Sequence, residues 1–168
     1  MRAAVPTAVV LLALTGCSAK GAATPVSPSE QASSSAPAAQ PLTKAAVKAV
    51  AAEEFDAYAS ADYAGTWDIW SAAGKKAISR QNYEKIFALC PMAAEGVPFT
   101  IKAVRLAPDK KSAVVRAQRL IALVSFRFVY EGGQWRFVPP ASDLRDYRTK
   151  TPAQIAAEAR KSGSCAKD

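Results

Sequence analysis

Apolar positions fall into three successive regimes along the chain. Ala3 to Leu14 is almost wholly apolar, interrupted only by Pro6 and Thr7. From Ser18 to Pro41 large apolar side chains vanish except Val26, and Ala, Ser and Pro fill 17 of the 24 positions. Only beyond residue 41 does apolar content acquire a period. Val47, Val50, Phe55 and Tyr58 recur at helical spacing behind Thr43, a capping residue, so Lys44–Ala59 reads as an amphipathic helix. Asp62 can cap a shorter second helix carrying Tyr63, Trp67 and Trp70, which Ser71 to Gly74 then breaks. Ser79 opens a third helix with Tyr83, Ile86, Phe87 and Cys90, ahead of Pro91.

The period then changes from helical to alternating. Val97–Leu106 and Ser112–Leu120 are rich in β-branched residues and flank a turn at Pro108-Asp109-Lys110. Val124–Tyr130 and Gln134–Val138 flank Gly132-Gly133, a hairpin signal. A two-residue loop there sets Tyr130 opposite Trp135 and Phe128 opposite Phe137. One face then carries Phe126, Phe128, Tyr130, Trp135 and Phe137; the other carries Arg127, Val129, Arg136 and Val138. An unbroken strand from Ser112 to Tyr130 would be ~60 Å long, so a bend is expected near Arg119–Leu123. Thr151-Pro152 caps a last helix through Lys161, ended by Gly163. Helices followed by antiparallel strands predict an α+β domain over residues 42–168.

The first regime has the length of a signal h-region behind Met1-Arg2, and is too short to span a bilayer. It ends in Leu14-Thr15-Gly16-Cys17. This motif resembles the lipobox of bacterial lipoproteins. The resemblance implies that residues 1–16 are a cleaved signal and that Cys17 is acylated. The chain would then be anchored by palmitate-type and diacylglycerol chains on the outer, extracytoplasmic side of the cell membrane, since two or more chains hold stably where one does not. Residues 17–41 would form a disordered tether, lacking the apolar side chains that offset ordering entropy.

Charge and composition narrow the chemistry. Residues 42–168 carry 20 Lys and Arg against 13 Asp and Glu, spread along the chain with no run longer than two. No nucleic-acid motif accompanies the excess, and no nucleic-acid partner is expected. Histidine is absent, which removes Ser-His-Asp and Cys-His catalysis and most zinc sites. No metal or other cofactor is expected. With Cys17 assigned to lipid, Cys90 and Cys165 remain, and in an oxidising compartment they read first as a disulfide.

Two segments carry a second resemblance: Ala61-Asp62-Tyr63-Ala64-Gly65-Thr66-Trp67, after the long helix, and the hairpin Phe128-Val129-Tyr130-Glu131-Gly132-Gly133-Gln134-Trp135-Arg136-Phe137. Together they resemble the nuclear-transport-factor-2-like superfamily over roughly Ala45–Tyr147. That resemblance implies a curved sheet wrapping the first helix into a cone whose open end binds a ligand, hosts catalysis or is filled. Phe55, Tyr58, Tyr63, Trp67, Trp70, Phe126, Phe128 and Trp135 would line such a pocket, or form plain core. Enzymes of the superfamily place an Asp or His, often with Tyr, in the pocket. Here Asp56, Asp62 or Asp68 with Tyr63 or Tyr83 would have to serve, although Asp62 is better read as a cap and Asp56 as solvated. One arginine falls on each strand: Arg105, Arg116, Arg127 and Arg136. Arg127 and Arg136, diagonal neighbours, are candidates for binding an anionic headgroup or polymer. The resulting expectation is a non-catalytic envelope lipoprotein that binds a small apolar or amphipathic ligand, or a protein partner. Alternatives are a docking domain using its sheet face and an enzyme with a pocket Asp/Tyr pair.

Overall fold

The computed structural model describes residues 38–166. The signal segment and most of the tether therefore lie outside the described residues. Six helices and four strands follow one another as α1 (Lys44–Ala59), α2 (Tyr63–Ile69), α3 (Ala72–Ala77), α4 (Arg80–Leu89), β1 (Thr100–Leu106), β2 (Ser112–Arg119), β3 (Ala122–Glu131), β4 (Gln134–Val138), α5 (Ala141–Thr149) and α6 (Pro152–Lys161). The strands form an open antiparallel meander in the order β1-β2-β3-β4. The architecture is α+β.

Side-chain caps start most of the helices. Thr43, Asp62, Ser71, Ser79 and Thr151 each accept a hydrogen bond from an amide three residues on, satisfying a donor that has no intrahelical partner. Ser71 corrects the sequence reading. It caps and begins α3 rather than breaking α2, and Gly74 lies inside α3 at a position where a Cβ would come within 3.0 Å of Pro139 and 3.1 Å of Trp70. α5 was not anticipated: its N-cap is Pro140, with no side-chain hydrogen bond.

The β3–β4 register pairs Tyr130 with Trp135 and Phe128 with Phe137, as the alternation requires. Phe128, Trp135 and Phe137 are buried with Val115 and Ala117 against Val47, Val50, Ala51 and Phe55 of α1. The expected bend between the second and third strands is instead a full reversal. Arg119 pairs with Ala122, leaving Leu120 and Ile121 as a two-residue loop with Leu120 at φ 53°.

The end of the expected tether is built into the domain. Gln40 donates its backbone N–H to the Gly133 carbonyl, and its side-chain oxygen accepts from the Trp135 amide at 2.7 Å. The Tyr130 hydroxyl donates to the Gln40 carbonyl and Trp135 Nε1 to that of Pro41. Residues 38–41 thus lie as a strap on the β3–β4 hairpin, where polar composition alone had suggested disorder. At the other end, Cys90 and Cys165 are joined, with Cα atoms 5.1 Å apart. Met92 bridges Cys165 in antiparallel fashion beside them.

Candidate functional site

α1, the inner sheet face, the α2–α3 junction, α4 and α5 converge on a cavity of about 120 Å³. α1 contributes Glu54, Phe55 and Tyr58, adjacent on one side of the helix because they are spaced i, i+1 and i+4. Trp70 follows α2 and is held over the cavity by backbone pairing with β4, the Ser71 amide donating to the Phe137 carbonyl at 2.7 Å. The sheet adds Phe126 and Phe137, and α4 adds Tyr83. Pro139 and Pro140 turn the chain into α5, which presents Asp143 and Tyr147, one turn apart, to the same space.

Aromatic rings fix one another around this space. Trp70 lies 4.5 Å from Tyr83 and 5.7 Å from Tyr147 between ring centroids, the latter pair stacked. Phe55 lies 4.8 Å from both Phe99 and Phe126. Offset and edge contacts of this kind add to the area they bury and hold each ring in one orientation.

The polar group among these rings is Glu54, only 3 % exposed. Its Oε1 accepts from Trp70 Nε1 at 3.3 Å, while Oε2 has no hydrogen-bond partner among the described residues. Burial lifts its pKa well above the usual carboxylate range; the Trp70 N–H opposes this and the Glu53 charge adds to it. Glu54 therefore keeps its proton to higher pH than a solvated carboxyl does. With Oε1 occupied as an acceptor, the proton of the neutral form belongs on Oε2, which is buried beside the cavity without a partner of its own among the described residues. Asp143 is raised in the same direction, first by burial, then against the Ser142 hydroxyl hydrogen bond and with the Asp146 charge. Tyr58, Tyr83 and Tyr147 are all pushed up by burial and stay protonated.

The residues singled out from sequence divide. Phe55, Tyr58, Trp70 and Phe126 line the cavity. Phe128 and Trp135 are core. Tyr63 stacks on Phe87 at 3.8 Å, and Trp67 donates Nε1 to the Ile78 carbonyl beneath the Lys75 ammonium; neither reaches the cavity. Asp62 is a cap, Asp56 is exposed, and Asp68 pairs with Arg80 at the surface. Sequence reasoning missed Glu54 and Asp143. A signal for Glu54 existed: it falls three, four and seven residues after Ala51, Val50 and Val47, on the same buried stripe.

Arg127 and Arg136 also part company. Arg136 donates to the Asp68 carbonyl at 3.1 Å at the β4 edge. Arg127 stays exposed on the outer face, across Val114 from Arg105. Arg119, not singled out before, donates to the carbonyls of Ala94 and Val97, and its guanidinium lies 4.8 Å from the Phe99 ring centroid. No group of acidic or thiol side chains suited to a metal occurs among the described residues, and no helix there is long and apolar enough to cross a membrane. Comparisons with protein-family models, curated proteins and solved structures find no match to the chain.

Proposed function

We propose that this chain is an extracytoplasmic lipoprotein, anchored through acylated Cys17, whose nuclear-transport-factor-2-like domain binds a small, mainly apolar molecule at Glu54. Support for the anchor is the sequence Leu14-Thr15-Gly16-Cys17 behind an h-region. Metabolic labelling with an alkynyl fatty acid should mark the wild type and not Cys17→Ser; label retained in the variant would end the anchor reading.

The observation that carries the binding reading is the unpartnered, buried Oε2 of Glu54. Leaving a polar atom without a partner costs about 1–3 kcal/mol, which a ligand acceptor would recover. Volume limits the ligand. A hydrocarbon-lined cavity of about 150 Å³ takes benzene, so about 120 Å³ suits a ligand or ligand portion of about six heavy atoms. The chemistry that fits is a compact apolar body with one neutral acceptor, such as a ketone. Cyclohexanone and cyclohexane, similar in size and different in that acceptor, separate the cases. The ketone should raise the melting temperature of the wild type more than the hydrocarbon does, and Glu54→Leu should abolish the difference. Equal effects of the two compounds on the wild type would sink the assignment.

A second reading follows from the acids themselves. Two carboxyls with raised pKa beside three tyrosines are the composition of a general acid–base site. In that reading Glu54 or Asp143 exchanges a proton with a small carbonyl compound. Turnover of such a compound, lost in Glu54→Gln, would favour it over simple binding.

A further inference from the structure

The outer face of the sheet ends in an apolar tip that the fold leaves uncovered. At the β2–β3 reversal Ile121 is 99 % exposed and Leu120 65 %, with Leu123 beside them on the outer face at 50 % and Val124, on the inner face opposite Ala117, at 42 %. Soluble domains expose single apolar residues freely, but a contiguous group at the end of a projecting hairpin marks a contact site. The backbone adds an independent sign. Leu120 has φ 53°, in the left-handed region where the first position of such a two-residue loop favours glycine. A bulky residue held there is strained, and strain of this kind collects where function requires a particular side chain.

Basic residues stand behind the tip. Arg105 on β1 and Arg127 on β3 face outward on either side of Val114, and Arg116 lies two positions nearer the tip on the same face. All three are exposed. Among the described residues none of them forms an ion pair. Glu131, the one acidic residue in the four strands, lies at the far end of β3 and accepts from the Ala72 amide at 2.9 Å. A shallow hollow of about 190 Å³ separates Arg105 from Arg127. Neighbouring strands lie about 4.8 Å apart, so these two arginines stand on backbones roughly 10 Å apart with the hollow between them.

We infer that this face docks on an anionic lipid bilayer, with Leu120 and Ile121 entering the interface and Arg105, Arg116 and Arg127 on the headgroups. Both halves of the surface match both layers of that partner: apolar side chains meet acyl chains, and guanidinium groups meet phosphates. A second copy of the chain is a poor occupant, because self-pairing would oppose like charges. The inference does not depend on the Cys17 anchor, but it is compatible with it. The strap places Ala38 at the β3–β4 turn, at the opposite end of β3 from the tip. β3 has 10 residues, about 33 Å. The 21 peptide links from Cys17 to Ala38 can reach at most about 70 Å, enough to allow the sheet to lie against the surface that holds the anchor.

The test uses the full chain carrying Ile121→Trp and vesicles containing brominated lipid. An emission change relative to the unsubstituted chain reports position 121 rather than the N-terminal segment. In vesicles of three parts phosphatidylglycerol to seven of phosphatidylcholine, fluorescence of the introduced indole should be quenched; in pure phosphatidylcholine it should be much less so. Arg105→Gln, Arg116→Gln and Arg127→Gln together should weaken anionic-vesicle binding on the order of 100-fold, each cation contributing roughly fivefold. Unchanged circular dichroism shows that the variants are folded. An introduced indole left unquenched in the anionic vesicles would overturn the inference. So would quenching indifferent to lipid charge and to the arginines, which would leave only adsorption of an apolar tip. Shielding of that indole by self-association without lipid, seen by sedimentation, would assign the face to a second copy instead.

Discussion

Glu54 shows how much one side chain on the wrong side of a helix can change. A glutamate on α1 would ordinarily be solvated, yet this one shares its stripe with Val47, Val50 and Ala51 and lies beneath Trp70. The consequence is a pH dependence with a definite sign. The folded state keeps the Glu54 proton at pH values where the unfolded chain, with a carboxyl near 4.5, has released it. The unfolded state therefore binds fewer protons, and stability falls as pH rises. The Glu54 contribution is fully present below about pH 4.5 and declines up to the folded pKa, at a limiting slope of about 1.4 kcal/mol per pH unit. Glu54→Gln keeps the shape and the Trp70 hydrogen bond but cannot ionise. Urea midpoints measured from pH 5 to 8 should fall more steeply for the wild type than for the variant. Part of the slope should survive in Glu54→Gln, since Asp143 is shifted in the same direction. Parallel slopes would mean that Glu54 ionises freely in the folded protein.

At the scale of elements, what the sequence disclosed follows from which signals have a single meaning. α1, α6 and the β3–β4 hairpin were legible because cap, period and turn residues agree. Ser71 and Gly74 were misread because the same residue types serve as breaker and as cap; here the Ser71 hydroxyl accepts from the Gly74 amide and starts α3, and the close approach of Pro139 and Trp70 leaves no room for a side chain at Gly74. α5 has no side-chain cap and no fully buried residue, so its signal is a single Leu144–Tyr147 spacing. Asp143 was invisible with it. The strap was unreadable for a different reason: its hold is mostly Gln40 and backbone, bonded to residues some 90 or more positions away. The β2–β3 loop carries no turn residue at all, and Leu120 occupies a glycine position. Leu120→Gly should therefore stabilise the domain by about 0.5–1 kcal/mol, the relief of left-handed strain exceeding the entropy glycine adds to the unfolded chain. Chemical denaturation measures this directly. A loss of stability would show that the exposed Leu120 side chain contributes packing that outweighs its backbone strain.

The whole molecule is closed at both ends of the domain by contacts distant in sequence. The strap ties residues 38–41 to the last hairpin, and the Cys90–Cys165 bond ties the C-terminus to the end of α4. The two closures differ in what backs them up. At the C-terminus the Ala93 amide donates to the Ser164 carbonyl, the Ala166 amide donates to Pro91, and Arg160 donates to the Leu89 carbonyl. Ala156 is fully buried where α6 meets α4. α6 would thus still have a place to dock without the bond, and the disulfide acts chiefly on the unfolded chain. Its two cysteines are 75 positions apart, and removing that constraint frees chain entropy worth about 4–5 kcal/mol, an upper figure because denatured chains keep some structure. Cys90→Ser with Cys165→Ser should therefore lower unfolding stability by about 2–5 kcal/mol while leaving the native circular dichroism intact. Reductant should lower the wild-type midpoint toward that of the variant and leave the variant unchanged. Alkylation of the unfolded, unreduced wild type should find no free thiol at either position. Coincident denaturation midpoints for wild type and variant would show that the backbone pairing and the α4–α6 contact hold the terminus without help from the sulfurs.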